Sequence, residues 1–145
     1  MKITVIDAKP EEDDEIIVKC HYLDENLSRL LQQLKNGSSM MNFYKQNKII
    51  PIEKSEIIFF ESVDDKCFAY TADDVYETKL KLYEIEELMP EPSFFRANKA
   101  VIVNLRKIKN LLPALGGRFE ATLANGYKAI ISRNYVPKLK MLLGL

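Results

Sequence analysis

The sequence predicts a mainly β protein of the α+β class, and three observations support this prediction. Short segments rich in β-branched and aromatic residues follow one another from residue 40 onward, as in SEIIFFES and FFRANKAVIVNL. Turn-forming residues separate these segments, and the pair Asn125 and Gly126 is the strongest hairpin signal in the chain. Helical periodicity is confined to three short stretches. Antiparallel sheets with a few short helices follow from this pattern.

The first 38 residues predict a small strand–strand–helix appendage in front of the main domain. Residues 2–7 (KITVID) and 16–20 (IIVKC) are short β-branched segments typical of strands. The acidic residues at 10–15 predict a solvated loop, because consecutive acids on a loop lack the converging geometry of a metal site.

A helix is predicted to begin at Asp24 and to end at Asn36 and Gly37. Its leucines fall on one face, at positions 23, 27, 30, 31 and 34. We expect this face to supply either a dimer contact or a docking surface for a regulatory partner. The first 38 residues are too few for a phosphoacceptor receiver domain, so phosphorylation of such a domain is not the expected signal that controls this protein.

From Met40 the pattern predicts an antiparallel meander. Its predicted parts are a hairpin in MNFYKQNKIIPI turning at Gln46 and Asn47, and strands in SEIIFFES, CFAYT and VYETKL. A helix follows over residues 81–90, with Leu82, Ile85 and Leu88 on its apolar side and Pro90 and Pro92 at its end.

The last third of the chain predicts a buried strand, a loop, a hairpin and a closing helix. The stretch FFRANKAVIVNL joins a basic cluster, Arg96 and Lys99, to an apolar β-branched run at 101–103. RKIKNLL then leads to a loop containing Gly116 and Gly117, and RFEATLA and YKAIIS flank the hairpin turn. The tail NYVPKLKMLLGL predicts a short helix that tolerates its proline only in the first turn.

Charge is unevenly distributed although the net charge is zero. Residues 93–145 hold ten lysines or arginines and one acid, whereas residues 1–92 hold eleven bases and twenty acids. One part of the chain is therefore expected to attract a polyanion and the other to repel it, or else the two parts are solvated faces of opposite sign.

Several functional classes are excluded by the sequence. No apolar run approaches the length of a membrane-spanning helix and the acidic N-terminus is unlike a signal peptide, so we expect a cytoplasmic protein. Cys20 and Cys67 have no metal-ligand or redox spacing and are expected to be free thiols. His21 has no nucleophile or second histidine to serve. We expect no enzyme activity, cofactor, metal or small-molecule substrate.

Five motifs in order carry a resemblance to a known family. They are FFES (59–62), VDDK (63–66), FFRANKAVIVNL (94–105), LANG (123–126) and ISRNYVPKL (131–139). In this order they resemble the LytTR-type DNA-binding domain of bacterial transcription regulators. The resemblance implies that residues 40–145 form a domain of about ten strands in small antiparallel sheets with short helices. It also implies that loops, rather than a recognition helix, contact DNA.

The resemblance implies three reading loops. The first matches residues 63–67. Members of the family often have a polar or aromatic residue at the position of Cys67, and because this chain departs from that pattern, Lys66 is the expected contact. The second matches residues 97–100. The third matches residues 132–134, where Arg133 is the candidate for a bidentate guanine contact worth about 1–3 kcal/mol of discrimination. The implied DNA-binding residues are Lys66, Asn98, Lys99, Ser132, Arg133, Asn134 and, toward phosphate, Lys138.

Some polar and aromatic residues have a structural alternative to DNA contact. Asn104 is expected to close a turn, and Arg96 either pairs with an acid or contacts DNA. Arg133 is either a solvent-facing residue in the first turn of a helix or a DNA contact. A positive charge near a helix N-terminus is unfavourable unless an anion compensates, and this favours the DNA role. The adjacent pairs at 59–60 and 94–95 are expected in the core rather than on a base-stacking surface, since neighbours in a strand face opposite sides.

Two functions from different classes remain. The first is a sequence-specific, double-stranded-DNA-binding transcription regulator that reads repeated half-sites as a dimer. Because the chain resembles short, receiver-less members of the family, a small membrane protein that restrains it is an expected partner. The alternative is a β-rich protein–protein interaction module with opposed acidic and basic faces. A steep fall of DNA affinity with ionic strength would distinguish the first from the second.

Overall fold

The computed structural model describes residues 2–36, 40–89 and 93–145. The chain divides into two compact units, Met1–Ser38 and Ser39–Leu145. Gly37, Pro90 and Pro92, where two helices were predicted to end, lie outside the described residues. Within those residues no helix is long and apolar enough to cross a membrane.

The first unit contains the predicted helix, α1 (Glu25–Asn36). Asp24 begins it as expected, because its Oδ1 accepts a hydrogen bond of 2.7 Å from the backbone N–H of Leu27 and so caps the first turn. On the predicted leucine face, Leu27 and Leu31 are half-buried. Leu30 and Leu34 are 46% and 51% exposed. The helix is therefore confirmed, and part of its apolar face remains open to solvent.

The two strands predicted in the first unit are absent, since residues 2–24 contain no strand. The apolar side chains of these two segments are not buried: Ile3, Ile6 and Ile16 are 85%, 84% and 72% exposed. A strand is stabilised by ladder hydrogen bonds and by cross-strand side-chain pairs that bury one face. The sequence pattern alone provides neither, so the prediction of a strand–strand–helix appendage is wrong in its strands.

The second unit contains ten strands in two antiparallel sheets, as expected. The strands are β1 (Met40–Lys45), β2 (Lys48–Glu53), β3 (Phe59–Val63), β4 (Lys66–Tyr70), β5 (Val75–Thr78), β6 (Phe94–Asn98), β7 (Val101–Asn104), β8 (Ile108–Pro113), β9 (Phe119–Leu123) and β10 (Lys128–Ile131). The larger sheet has the order β2-β1-β5-β4-β3-β7-β6, and the smaller one the order β10-β9-β8. Gln46 and Asn47, with positive φ, form the predicted first hairpin turn.

Two helices accompany the sheets. The first, α2 (Leu82–Leu88), buries Leu82 and Ile85 as predicted, but Leu88 is 56% exposed and Met89 is 2% exposed. The buried positions thus follow a spacing of three and four residues, and the prediction of Leu88 on the buried side is wrong by one residue. The second, α3 (Val136–Leu143), is the predicted short closing helix and has its proline in the first turn as expected. It ends at Gly144, which adopts the left-handed conformation.

Both faces of the larger sheet are covered, which gives two cores. Phe59 and Phe95 pack in one core with side chains of the smaller sheet and α3, whereas Phe60 and Phe94 pack in the other core with α2. Adjacent phenylalanines point to opposite faces of a strand, so each pair contributes one ring to each core. The prediction that these aromatics form core rather than a stacking surface is confirmed. All four residues of β7 are buried because both faces of the larger sheet are covered.

Most of the segment RKIKNLL lies in a strand, β8 (Ile108–Pro113), which the sequence pattern did not indicate. Its residues Asn110 and Leu112 are exposed, and only Ile108 and Leu111 are partly buried. Because β8 is an edge strand of the smaller sheet, it lacks the β-branched, buried character on which the predictions for β3 and β7 rested.

Candidate nucleic-acid interface

The β6–β7 turn is the second of the three predicted loops, and Asn98 organises it. Its Oδ1 accepts a hydrogen bond of 2.8 Å from the backbone N–H of Ala100. Its Nδ2 donates a hydrogen bond of 2.8 Å to the backbone oxygen of Ile130 in β10. Asn98 therefore closes its own turn and fastens that turn to the smaller sheet, while Lys99 at the tip is exposed.

Arg96 clamps the same turn from the other side. Its Nε donates to the backbone oxygen of Asn98 at 2.7 Å, and its Nη2 donates to that of Lys99 at 2.7 Å. Its Nη1 forms an ion pair of 2.8 Å with Glu86 of α2, and the Arg96 side chain is only 17% exposed. Of the two alternatives for Arg96, the structure supports pairing with an acid. The clamp leaves the neighbouring Lys99 ammonium directed to solvent.

Asn104 is structural as predicted. It is 3% exposed, and its Oδ1 accepts a hydrogen bond of 3.0 Å from the backbone N–H of Arg106. Its Nδ2 donates to the backbone oxygen of Ile57 at 2.9 Å, in the segment that leads into β3. The side chain therefore closes the turn after β7 and holds two distant segments together.

The β3–β4 turn is the first predicted loop. Asp64 and Asp65 both have positive φ, 49° and 63°, which is the backbone of a type I′ hairpin turn. Lys66, the expected contact, is exposed directly after them. The turn itself therefore presents two carboxylates beside the Lys66 ammonium, and the Lys81 ammonium donates a hydrogen bond of 3.4 Å to the backbone oxygen of Asp65. The two acids weaken the attraction that Lys66 alone would exert on phosphate.

Cys67 does not reach the surface at this turn. It is 4% exposed and packs in the core that contains α2. Burial raises the pKa of its thiol from 9.0 to about 11. The expectation that Lys66, and not Cys67, is the available contact of this loop agrees with that burial. Both cysteines are free, as predicted.

The third predicted loop follows β10. The backbone N–H of Ser132 donates a hydrogen bond of 2.8 Å to the backbone oxygen of Ala97 in β6. A short 3-10 helix (Arg133–Tyr135) then leads into α3, and the side chains of Arg133 and Asn134 are exposed. No acid lies in the first turn of α3 to compensate the Arg133 charge near this helix start. Lys138 lies on the exposed side of α3.

Hydrogen bonds join the three loops into one row. The backbone N–H of Ser62, at the end of β3, donates to the backbone oxygen of Ala100 at 2.8 Å and so ties the first loop to the second. The bonds from Asn98 to Ile130 and from Ser132 to Ala97 tie the second loop to the third. Lys66, Lys99 and Arg133 thus lie on neighbouring loops although they are far apart in sequence. We call this row, residues 63–67, 97–100 and 132–134, the loop edge.

A fourth loop, which the sequence did not connect with the site, lies against Arg133. A Cβ atom built on Gly117 would lie 3.2 Å from Cγ and 3.3 Å from Cδ of Arg133. The two glycines at 116 and 117 predicted a loop correctly, but no local signal indicates which distant side chain packs on it.

The sequence also did not reveal a cluster of Glu61 with two tyrosines behind the loop edge. Glu61 accepts hydrogen bonds from the hydroxyls of Tyr70 at 3.2 Å and Tyr127 at 3.0 Å. The ring of Phe59 stacks between those of Tyr70 and Tyr127, with centroid distances of 4.1 and 4.2 Å. Burial, together with the adjacent Glu61 carboxylate, raises the pKa of Tyr127 to about 12. The cluster joins β3 and β4 of the larger sheet to the β9–β10 hairpin.

Known proteins are similar to this chain in sequence and in fold. The family model for the "LytTr DNA-binding domain" matches residues 47–144. The chain belongs to the LytTR family. Among solved structures, this LytTR chain is similar to a "LytTr DNA-binding domain" from Bacillus cereus, with a TM-score of 0.71 and 28% identity, over 75% of this chain and 100% of the other. Among the described residues, no group of His, Cys, Asp and Glu suitable for a metal ion occurs.

Two curated relatives differ in length. A "Sensory transduction protein LytT" of Bacillus anthracis is 24% identical over 93% of this chain, which spans only 58% of that protein. An "Uncharacterized HTH-type transcriptional regulator" of Staphylococcus aureus (strain NCTC 8325 / PS 47) is 25% identical over 97% of this chain and 96% of the relative. In the described part of the LytTR chain, strands separate each α-helix from the next, so no helix-turn-helix pair is formed there.

Proposed function

We propose that this protein is a sequence-specific regulator of transcription that binds double-stranded DNA as a dimer on repeated half-sites. The observation that carries the proposal is the loop edge, where Lys66, Lys99 and Arg133 are exposed on three neighbouring loops. Isolated bases on loops held by rigid strands reach into a groove, and further bases neutralise phosphates. The family membership and the excess of bases in residues 93–145 support the same partner.

The roles of the loop-edge residues, and of Lys138 in α3, are assigned from their exposure and from the donors that they carry. Arg133 is exposed and carries a planar fork of donors suited to the two acceptors of guanine in the major groove. Asn98 has one hydrogen bond from its amide nitrogen and one to its oxygen within the protein, which leaves one donor for DNA. Lys66, Lys99 and Lys138 are assigned to phosphate. Ser132 and Asn134 flank Arg133 and are assigned to sugar and phosphate contacts.

The test is selection of binding sites from a random double-stranded DNA pool with three proteins: wild type, Arg133→Ala and Arg106→Ala. Arg106 is an exposed arginine beyond the opposite end of β7, so its variant loses the same charge away from the loop edge. We expect a motif of two half-sites about one helical turn apart, degenerate at one position per half-site for Arg133→Ala and intact for Arg106→Ala. An unchanged motif for Arg133→Ala would refute the base-reading role.

The alternative of a protein–protein interaction module is tested by salt. If the loop edge and its flanks contact several phosphates, the logarithm of the affinity falls linearly and steeply with the logarithm of the salt concentration. A protein that selects no motif and shows no such slope would be assigned to the alternative.

We assign the leucine face of α1 to dimerisation or to docking of a small membrane-protein inhibitor. Leu30 and Leu34, each about half exposed, support this assignment. The variant Leu30→Glu/Leu34→Glu is expected to lose either the dimer, seen by sedimentation, or the response to the inhibitor. Arg29→Glu places a carboxylate on the other side of α1 and serves as the control. A double variant that stays dimeric and responsive would rule out both roles.

A further inference from the structure

The β8–β9 connection is a short loop that contains two consecutive glycines. The backbone N–H of Ala114 donates a hydrogen bond of 2.8 Å to the backbone oxygen of Arg118 and closes the loop. Gly116 and Gly117 have φ values of +73° and +75°. Both backbones are therefore in the left-handed region, which favours glycine at either position.

The two glycines differ in what surrounds them. A Cβ atom at Gly116 would meet nothing within 4 Å. A Cβ atom at Gly117 would lie 3.2 Å from Cγ and 3.3 Å from Cδ of Arg133. The aliphatic part of Arg133 thus lies close to the backbone of Gly117, and a Cβ at this position would require it to shift by a few tenths of an ångström.

We propose that Gly117 is a positioning residue for Arg133, and through it a determinant of sequence preference; this rests on the proposed function of Arg133 in base reading. An exposed arginine samples many rotamers, and each one lost on binding lowers the affinity. A backbone surface under Cγ and Cδ restricts these rotamers before DNA arrives. A binding side chain held by its neighbours discriminates better than a free one, because its donors are already directed toward the base.

The two glycines provide a matched pair for the test. Gly117→Ala and Gly116→Ala both put a Cβ on a residue with positive φ, so they share the backbone strain. Only Gly117→Ala also displaces the stem of Arg133. The proteins compared are wild type, the two glycine variants, Arg133→Ala and the double variant Gly117→Ala/Arg133→Ala. The affinity of each is measured for the selected site and for a second site, which is changed at the base that becomes degenerate in the Arg133→Ala selection.

We expect Gly117→Ala to weaken binding to the selected site roughly 3- to 10-fold and to reduce discrimination of the changed base, the size of coupling usual for contacting residues. Gly116→Ala should bind within about 2-fold of wild type, as expected for independent sites. In the Arg133→Ala background, Gly117→Ala should have no further effect. Thermal melting of each variant checks the fold; if the alanines melt early, Gly117→Asn and Gly116→Asn replace them, because asparagine tolerates positive φ better.

Equal losses for the two glycine variants, or a Gly117→Ala loss that persists in the Arg133→Ala background, would show that Gly117 serves loop geometry alone and would overturn the inference. Arg133→Ala binding like wild type would overturn the proposed base-reading role and this inference with it. If Arg133→Ala weakens DNA binding but Gly117→Ala has the same effect with and without Arg133, only the inference about Gly117 is overturned.

Discussion

At the scale of single residues, the polar groups of the loop edge divide into those that build it and those that project from it. Arg96 and Asn98 make hydrogen bonds to backbone atoms of the β6–β7 turn or of β10. Lys99 and Arg133 are exposed beside them. An arginine thus serves each purpose, Arg96 holding the turn and Arg133 projecting from the loop edge, because a binding side chain is effective only on a loop that is itself held in shape.

Asn98 and Asn134 allow this division to be measured. Asn98→Ala removes the hydrogen bonds to Ile130 and Ala100 and should lower the free energy of unfolding by about 1–3 kcal/mol without DNA. Asn134→Ala, at an exposed position, should change it by less than about 0.5 kcal/mol. Urea unfolding of both variants is the measurement, and equal stabilities would contradict the structural role of Asn98.

The acids of the β3–β4 turn oppose DNA binding if Lys66 faces phosphate. Asp64→Asn/Asp65→Asn keeps residues that tolerate positive φ and removes two negative charges. We expect roughly 3-fold tighter DNA binding at low salt and no gain at high salt, where screening is strong. Asp73→Asn, in the β4–β5 turn, is the control. Weaker binding of the double variant would instead mean that a carboxylate accepts a hydrogen bond from cytosine.

At the scale of elements, the β6–β7 hairpin is the part on which both cores and the loop edge depend. β7 is buried on both faces, and the tip of the hairpin carries the second loop. The rigid part and the projecting part are consecutive in sequence. Because the buried strand and the exposed loop follow each other directly in the chain, the sequence FFRANKAVIVNL is sufficient to predict both.

Helix α2 gives a prediction at the same scale. Met89→Ala should destabilise the protein by about 2–5 kcal/mol, because its side chain is 2% exposed and fills the core beneath α2. Leu88→Ala, at a position 56% exposed, should cost less than about 0.5 kcal/mol. Denaturant unfolding compares them. The reverse order would mean that the helix face is rotated by one residue.

In the molecule as a whole, the cluster of Glu61 and two tyrosines connects the two sheets, and Tyr127 of this cluster together with the separate, buried Cys67 makes stability depend on pH. The pKa values of Tyr127 and Cys67 are raised, to about 12 and about 11, so the folded state keeps these protons to higher pH than the unfolded chain. Their contribution is fully present below pH 9.0, the ordinary value of a cysteine, and is lost as the pH rises through the raised values.

The corresponding measurement is the urea midpoint at neutral and at alkaline pH. Wild type should lose stability between about pH 9 and pH 12, and Tyr127→Phe should lose less over this range because one of the titrating groups is gone. Tyr83→Phe, at a position 64% exposed, is the control. Equal pH dependence in wild type and Tyr127→Phe would exclude a contribution from this tyrosine.

Local sequence patterns alone determined most of the second unit. The turns at 46–47 and 64–65, the buried β7, the two-sided phenylalanine pairs and the short closing helix each depend on neighbours in the chain, so their signals are local. The order of motifs was sufficient to indicate the family and its three loops. The strands predicted at 2–7 and 16–20 failed because strand formation requires a partner that a local pattern cannot reveal.

Which polar residues are held and which are exposed depends on contacts that exist only in the folded chain. Arg96 pairs with Glu86 of α2, Asn98 bonds to Ile130 of the other sheet, and Arg133 rests on Gly117 of a third segment. Each of these contacts joins residues that are separated along the chain. The energies of these contacts depend on distances between atoms that are set by the folded chain, and neither composition nor the spacing of residues predicts those distances.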